Sequence, residues 1–488
     1  MFIRHLFLMS SIPIVQGTAV EHNGSKYGQA PPPPSYASNV GEDQQYFNYS
    51  ATEEATPERR QNPPKQYQDV AWALLFVAHL IAMLVVISMG LTGSNQNAYG
   101  GGYGGTIFVV VGVTGLSSLI FSSLALSQMM KHTEILVQVA LIFSVLCSLA
   151  IGIVGFMIGS IMTGVIGLIA FAFGCCYAKI VWPRIPFAAT NLVTALSAVR
   201  ANLGLAIAAY GMTALAFVWS FFWFTGLADA FAGSNLGIIF LLFLSFYWVH
   251  QVLQNTMHVI TAGVIGTWWF VPSEASTFWS KALTDSFFRA TTFSFGSICF
   301  GSFIVAVVQA LRALEYYARD QNDFQFLVCI IQCILGCIES VLEYFNKWAY
   351  VYVGLYGFSY LDAGRNVVQL FQNKGWTAVI SDDLCDNVLF MVSIAIGLAS
   401  GLIGLIIGFT DSGMFVANGY DHAGGPAFLI GFLVGYLFAS VLLSIVSSAV
   451  NTVIVCYAEA PAEFQMNHPK LSSDMRAAYS QAFPDIPL

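Results

Sequence analysis

The chain has 488 residues with a net charge of −8, and 57% of them are hydrophobic while only 9% are charged. A soluble domain carries roughly 25% charged residues, so this composition excludes a soluble enzyme, a disordered protein and a nucleic-acid binder, which would need a basic face. The apolar runs are long and continuous rather than short and alternating, which excludes a transmembrane β-barrel and predicts an all-α polytopic membrane protein.

Residues 1–68 are predicted to form a disordered cytosolic tail, because they are rich in proline, glycine and polar residues and cannot bury a core. The first 16 residues hold a short apolar stretch after one Arg, which leaves a weak signal peptide as an alternative. Pro33, Pro34 and Tyr36 fit the Pro-Pro-x-Tyr pattern of WW-domain ligands. The tail therefore has two interpretations, a binding segment for a WW-domain ubiquitin ligase and a plain proline-rich spacer.

Ten apolar runs between residues 69 and 460 have about the 20-residue length that crosses a bilayer. The predicted spans are 70–91, 106–129, 136–157, 159–181, 202–225, 235–262, 288–311, 325–344, 387–410 and 428–457. Small residues spaced four apart, such as Gly397 and Gly401, favour close helix packing within the bundle over a dimer interface. Residues 461–488 are predicted to form a cytosolic C-terminal tail.

The distribution of Lys and Arg predicts that both termini are cytosolic, because positive residues then fall on the inner side. The opposite loops, 92–105, 226–234 and 411–427, contain no Lys or Arg. The exception is the loop after the seventh span, where Arg312 and Arg319 stand among acidic residues. The pattern predicts a multi-pass protein with an even number of spans.

The sixth span is the most polar segment predicted to lie inside the membrane, where polar groups face a cavity or a partner helix. Trp248 and His258 mark the two ends of one helix face that also carries two amides. The candidate substrate-binding residues of the fifth and sixth spans are Trp219, Trp223, Tyr247, Trp248, Gln251, Asn255 and His258. Their rings suit a methylated cation, which binds aromatic faces by cation–π attraction. The alternative is hydrogen bonding and aromatic packing between helices.

The stretch 344–383 is aromatic, mildly charged and too interrupted for an ordinary span. It predicts interfacial helices against the cytosolic face, which act either as a gate or as a structural collar. The candidate gate residues in or just before it are Glu339, Asn346 and Tyr350.

The sequence contains no phosphate-binding loop, zinc-protease motif or nucleophile elbow. We therefore expect no enzyme activity and no cofactor. His250 and His258 share a span without a carboxylate near them in sequence, which disfavours a metal site. Cys329, Cys333 and Cys337 share one helix face, which favours packing or lipidation over metal binding.

Several sequence blocks carry a recognisable pattern. They are His258-Val259 with Ala262-Gly263 and Thr267-Trp268, Phe295 to Ser302, Cys337 to Glu339, Asn346-Lys347 with Ala349-Tyr350, Tyr356-Gly357, and Cys456 to Glu459. In these blocks the chain resembles the choline transporter-like family, and the resemblance covers residues 67–470. The short first outer loop resembles the fungal branch of that family.

The resemblance implies that residues 69–460 form a choline transporter-like domain. It also implies a plasma-membrane transporter of choline or a related small organic cation, working by facilitated diffusion or alternating access. Two other functions stay open: a non-transporting scaffold that recruits WW-domain proteins through its tail, and a lipid-handling membrane protein. The expected partners are the small cation and the lipid bilayer, with no nucleic acid, and the sequence does not fix the oligomeric state.

Overall fold

The computed structural model describes residues 65–93, 104–232, 236–318, 325–374, 377–410 and 424–484. Throughout these ranges the regular secondary structure is helical. In chain order the α-helices are α1 Val70–Gly93, α2 Gly104–Lys131, α3 Thr133–Met157, α4 Ile161–Val181, α5 Ile185–Ala201, α6 Gly204–Ala232, α7 Leu236–Phe270, α8 Lys281–Thr291, α9 Phe295–Ala318, α10 Gln325–Tyr356, α11 Tyr360–Lys374, α12 Thr377–Thr410, α13 Gly424–Glu459, α14 Pro461–Asn467 and α15 Pro469–Ala482. The tail motif of Pro33, Pro34 and Tyr36 lies outside the described residues.

The helices make this an all-α membrane protein, as the sequence predicts. Within the described residues, six segments are long and apolar enough to cross a membrane: Val109–Lys131, Thr133–Met157, Ile161–Ala201, Phe295–Leu314, Ser381–Thr410 and Gly424–Glu459. Two shorter apolar helices lie at Val70–Val85 and Gly204–Ser220. The structure thus supports the helical class but not the predicted count of ten. Helices α7 and α10 are long, but they carry polar or charged residues near their middles, which lowers their apolar character.

Several helix boundaries differ from the predicted spans. Helix α10 is continuous to Tyr356, so the stretch predicted to form interfacial helices begins inside a long helix and continues into α11 and α12. Helix α10 ends at Tyr356, just before Gly357, whose φ of +69° is readily available to glycine. The predicted seventh span starts late, at Phe295, because a turn separates α9 from α8. The region predicted as a C-terminal tail contains α14 and α15.

Helix α7 lies among the other long helices and packs against α6, α9, α10 and α13. Its apolar positions contribute Ile260, Val264 and Trp269 to the main hydrophobic core, where all three are fully buried. Helix α7 therefore packs against other helices along much of its length.

Helices α12 and α13 touch through their backbones. A Cβ atom at Gly404 would lie 2.3 Å from the carbonyl oxygen of Ala427, and one at Gly435 would lie 2.3 Å from Cβ of Ser400. Helices α3 and α4 approach each other in the same way. Small residues thus serve close packing within the chain, as the sequence indicates.

The C-terminal helices close the end of α7. The indole of Trp269 stacks on Phe464 with 3.9 Å between ring centroids, and its Nε1–H donates to the carbonyl oxygen of Ala460 at 3.0 Å. Asn467 Nδ2 donates to the carbonyl oxygens of Trp269 and Phe270 at 3.0 and 2.9 Å. Carbonyls in the last turn of a helix lack intrahelical partners, so Asn467 caps α7.

His468 caps the same helix end. Its ring stacks on Trp268 with 3.8 Å between centroids, and Nε2 lies 3.0 Å from the Trp268 carbonyl oxygen. Burial lowers the pKa of His468, so the imidazole is neutral at pH 7 and its Nε2–H donates to that oxygen. The C-terminal segment is consequently an integral part of the helical bundle.

Asp69 fastens the segment before α1 to two other helices. Its carboxylate accepts a hydrogen bond from the Ser297 hydroxyl at 2.7 Å and another from the Tyr360 backbone N–H at 2.8 Å. The Gln68 N–H donates to the carbonyl oxygen of Phe293 at 2.8 Å. The φ of Asp69 is +51°, a left-handed conformation that aspartate tolerates better than most residues. Asp69 therefore joins the starts of α1, α9 and α11, where a negative charge is favourable.

We expect Asp69→Ala to lower the free energy of unfolding by about 1–3 kcal/mol, because it leaves two donors unpaired. Asp69→Asn should lose less, since its amide oxygen still accepts and asparagine tolerates a positive φ. Thermal unfolding of the detergent-purified protein, followed by tryptophan fluorescence, measures the effect. Glu274→Ala, which removes an exposed ion pair with Lys281, is the control and should change little. A wild-type melting temperature for Asp69→Ala would contradict this role of Asp69.

Candidate functional site

Trp248 lies within a group of aromatic rings between α1, α7 and α9. Its ring centroid is 5.0 Å from that of Phe76, 4.9 Å from that of His79 and 4.9 Å from that of Phe303. Its indole N–H donates to the carbonyl oxygen of Cys299 at 3.1 Å. Only 3% of Trp248 is exposed. Phe76, His79, Trp248 and Phe303 together form what we term the aromatic cluster.

His79 is the polar member of the aromatic cluster. Among the described residues, neither of its ring nitrogens makes a hydrogen bond of good geometry, although the backbone of Phe76 lies close to the ring. A buried polar group without a partner is costly and calls for an explanation such as a ligand or a water. The sequence does not place His79 at the site. Its position as the one ionisable residue of α1 is the feature that could have identified it.

The amides of the predicted α7 face form a chain of hydrogen bonds. Gln251 Nε2 donates to Gln309 Oε1 at 3.3 Å, and Asn255 Nδ2 donates to Gln251 Oε1 at 3.3 Å and to Ser302 Oγ at 3.0 Å. Gln309 Nε2 in turn donates to a carboxylate oxygen of Glu343 on α10 at 3.1 Å. The predicted face thus meets α9 and α10, and protein groups pair with its amides in this state.

His258 connects α7 to α10 and α13. Its Nε2 lies 2.8 Å from the carbonyl oxygen of Lys347, and its Nδ1 lies 2.6 Å from Ser448 Oγ. A carbonyl oxygen only accepts, so Nε2 carries the proton and Nδ1 accepts from the serine hydroxyl. About 15 Å of helix separates His258 from Trp248, and the face is therefore aromatic at one end and hydrogen-bonded across three helices at the other.

The two predicted tryptophans of α6 lie beside the aromatic cluster rather than in it. Trp223 belongs to a separate small apolar group, where its Nε1–H donates to the carbonyl oxygen of Leu242 at 2.8 Å. Trp219 packs against both this group and the main core. Its buried indole N–H has no hydrogen-bond partner among the described residues.

Two of the three candidate gate residues lie together. Asn346 Nδ2 donates to the carbonyl oxygen of Gly301 at 3.0 Å, and the Tyr350 hydroxyl donates to the carbonyl oxygen of Ile298 at 3.1 Å. The Tyr360 hydroxyl donates to Asn346 Oδ1. These bonds hold α10 and α11 against the first half of α9.

The remaining predicted residues lie nearer the other end of α7. Glu339 forms an ion pair with Arg312 of α9, about 10 Å along α10 from Asn346. Tyr247 packs edge-on against Phe246, with 5.5 Å between ring centroids. The structure therefore separates Glu339 from the other two candidate gate residues.

Comparisons with known proteins bear on this arrangement of helices. A sequence model described as the plasma-membrane choline transporter matches residues 165–462, which is more than half of the chain. The chain belongs to that family. Protein PNS1 of Cryptococcus neoformans var. neoformans is 27% identical over 492 residues, covering 90% of this chain and 86% of that protein. A CTL-like protein of Dictyostelium discoideum is 28% identical over 367 residues, covering 71% and 65%.

Protein PNS1 of Gibberella zeae is 30% identical over 343 residues, covering 64% of this chain and 62% of that protein. The relatives place the chain in the fungal branch of the choline transporter-like family, as the sequence resemblance predicts. The family match includes all of α7, α9, α10, α12 and α13 but not α1. This is a transporter-like family rather than an enzyme family.

Proposed function

We propose that this protein is a plasma-membrane carrier of choline or a related small organic cation. Membership of the choline transporter-like family supports a transporter-like role. The observation that carries the proposal is the aromatic cluster around Trp248, because ring faces attract a methylated ammonium group. The unpartnered ring nitrogens of His79 lie beside those rings and would bind a substrate hydroxyl.

We further propose ten membrane-crossing helices, with α1, α6, α7 and α10 added to the six apolar segments. These four helices have 24, 29, 35 and 32 residues, so each is at least about 36 Å long and exceeds the roughly 30 Å hydrocarbon core. An even number of spans puts both termini on one side. The distribution of Lys and Arg favours the cytosol.

The contacts at the site support alternating access. Trp248 is almost fully buried, and the amides of Gln251 and Asn255 are paired with protein groups. A cation reaches this face only when helices separate and its own interactions replace these contacts. Such exchange of protein contacts for substrate contacts is the basis of a carrier with facilitated diffusion.

Uptake of labelled choline into vesicles, with and without an ion gradient, tests the proposal. The vesicles contain lipids without choline head groups and either the purified full chain or no protein. We expect saturable uptake by the wild type and at least about a tenfold lower uptake by Trp248→Ala, because a desolvated cation–π contact contributes about 2 kcal/mol. Trp279→Ala is the matched control, since Trp279 is 53% exposed, and it should retain wild-type uptake.

Each outcome discriminates between functions. Normal uptake by Trp248→Ala would remove Trp248 from the substrate path. The absence of uptake from folded wild-type protein would overturn the carrier proposal for choline. That result would favour the two other functions, a non-transporting scaffold or a lipid-handling protein.

A further inference from the structure

The ammonium group of Lys347 occupies a cage of acidic and aromatic side chains. Its Nζ lies 2.6 Å from Asp382 Oδ2 and 3.1 Å from Asp386 Oδ2, both on α12. The ring of Tyr344 lies on another side, with its centroid 5.5 Å from Nζ. We term Tyr344, Asp382 and Asp386 the ammonium cage. Carboxylates and a ring face are the groups that bind organic ammonium ions.

The ammonium cage is continuous with the predicted end of the α7 face. His258 donates to the backbone carbonyl oxygen of Lys347, the residue whose side chain fills the cage. The neighbouring serines of α13 complete the connection, because Ser448 bonds His258 and Ser447 donates to Asp386 Oδ1 at 2.9 Å. Helices α7, α10, α12 and α13 are therefore linked in one closed ring of polar contacts.

The cage has one buried wall and one accessible wall. The side chain of Asp382 is 1% exposed, whereas that of Asp386 is 29% exposed and that of Lys347 is 18% exposed. The lysine can therefore withdraw on the side of Asp386, and its ion pair with the buried Asp382 must break when it does. Two carboxylates thus surround one ammonium group, which makes the ammonium cage a favourable environment for a cation.

We propose that the ammonium cage is a second binding station for the transported organic cation, and that Lys347 is a tethered ammonium which fills the station when substrate is absent. This inference rests on the proposed function, because it extends the path from the aromatic cluster past His258. A cation moving along α7 displaces the lysine, and the lysine returns after the cation leaves.

Binding of labelled choline to the full chain in vesicles without choline head groups tests the station. A tethered group competes at a high effective concentration, so Lys347→Met should bind choline at least about tenfold more tightly than wild type. Asp386→Asn should bind at least about tenfold more weakly, because it removes one carboxylate. Lys281→Met is the matched control: Lys281 pairs with Glu274 at the surface, and its loss should leave affinity unchanged.

A second measurement uses wild-type protein and needs no substitution. An amine-reactive reagent modifies accessible lysines, and mass spectrometry reports the rate at Lys347 with Lys281 as internal reference. Saturating choline should accelerate modification of Lys347 several-fold and leave Lys281 unaffected. A lysine that serves only as a fixed structural ion pair would react at the same rate with and without choline. This measurement also decides the case if Lys347→Met fails to fold.

The outcomes separate this inference from the carrier proposal. Saturable choline uptake by wild type, with unchanged affinity in Lys347→Met and unchanged labelling, would overturn the station and leave the carrier standing. Tight choline binding by Lys347→Met without uptake by wild type would support the station and overturn the carrier. If no variant took up or bound choline, both the station and the carrier proposal would be overturned.

Discussion

Replacing Gly404 by leucine is expected to reduce sharply the amount of folded protein. A Cβ atom at this position would lie 2.3 Å from the carbonyl oxygen of Ala427 and 3.3 Å from Cα of Gly431. Both are backbone atoms of α13, so no side-chain rotation relieves the clash and the two helix axes must move apart. We expect a loss of about 3 kcal/mol or more, at the upper end of overpacking effects.

The matched control for Gly404→Leu is Gly425→Leu, at the start of the partner helix. A Cβ atom at Gly425 would meet nothing within 4 Å, so leucine there adds apolar surface without a clash. Size-exclusion chromatography gives the yield of monodisperse protein, and thermal unfolding gives its stability. Equal yields and melting temperatures for the two variants would contradict the interpretation that α12 and α13 depend on backbone contact.

Trp269→Ala is expected to release the C-terminal helices from the bundle. The substitution removes a fully buried ring stacked on Phe464 and leaves the carbonyl oxygen of Ala460 without its donor. Deleting a buried tryptophan costs about 3–5 kcal/mol. Trypsin should then cut more rapidly at Lys470 and Arg476 of α15, and the melting temperature should fall.

Two controls separate the parts of this effect. Trp269→Phe keeps an aromatic ring against Phe464 but leaves the carbonyl oxygen of Ala460 without its donor, so about 1–3 kcal/mol should be lost. Trp279→Ala makes the same chemical change at a tryptophan that is largely exposed and should leave trypsin cleavage unchanged. If cleavage in Trp269→Ala matched the wild type, the docking of α14 and α15 would not depend on this ring.

The long helices could be predicted from the sequence because a bilayer requires long apolar runs, and the chain provides them almost without interruption. The face from Trp248 to His258 was predictable for a similar reason, since helical periodicity alone fixes which residues share a face. Periodicity does not reveal the facing helix. Ser302 and Ser448, which bond Asn255 and His258, come from spans far along the chain.

The continuity of α10 could not be predicted either, because it also depends on residues that are distant in the sequence. Lys347 breaks the apolar pattern, but the backbone hydrogen bonds of the helix continue and the charge is balanced by Asp382 and Asp386 on α12. Those partners follow more than 30 residues later, where no local pattern connects them to Lys347. His79 could not be assigned to the site from the sequence, because a lone histidine in an apolar run carries little information until Trp248 is placed beside it.

The attachment of Asp69 to α9 and α11 fixes the first end of α1. Any tilt of this helix is therefore smallest at Asp69 and greatest at the far end. Helix α1 has 24 residues and is therefore about 36 Å long, with His79 about 15 Å from Asp69 along the helix axis. A rotation of about 10° around Asp69 moves the far end of the helix by about 6 Å and His79 by about 3 Å. A displacement of that size would alter the contact between His79 and Trp248, whose ring centroids are 4.9 Å apart.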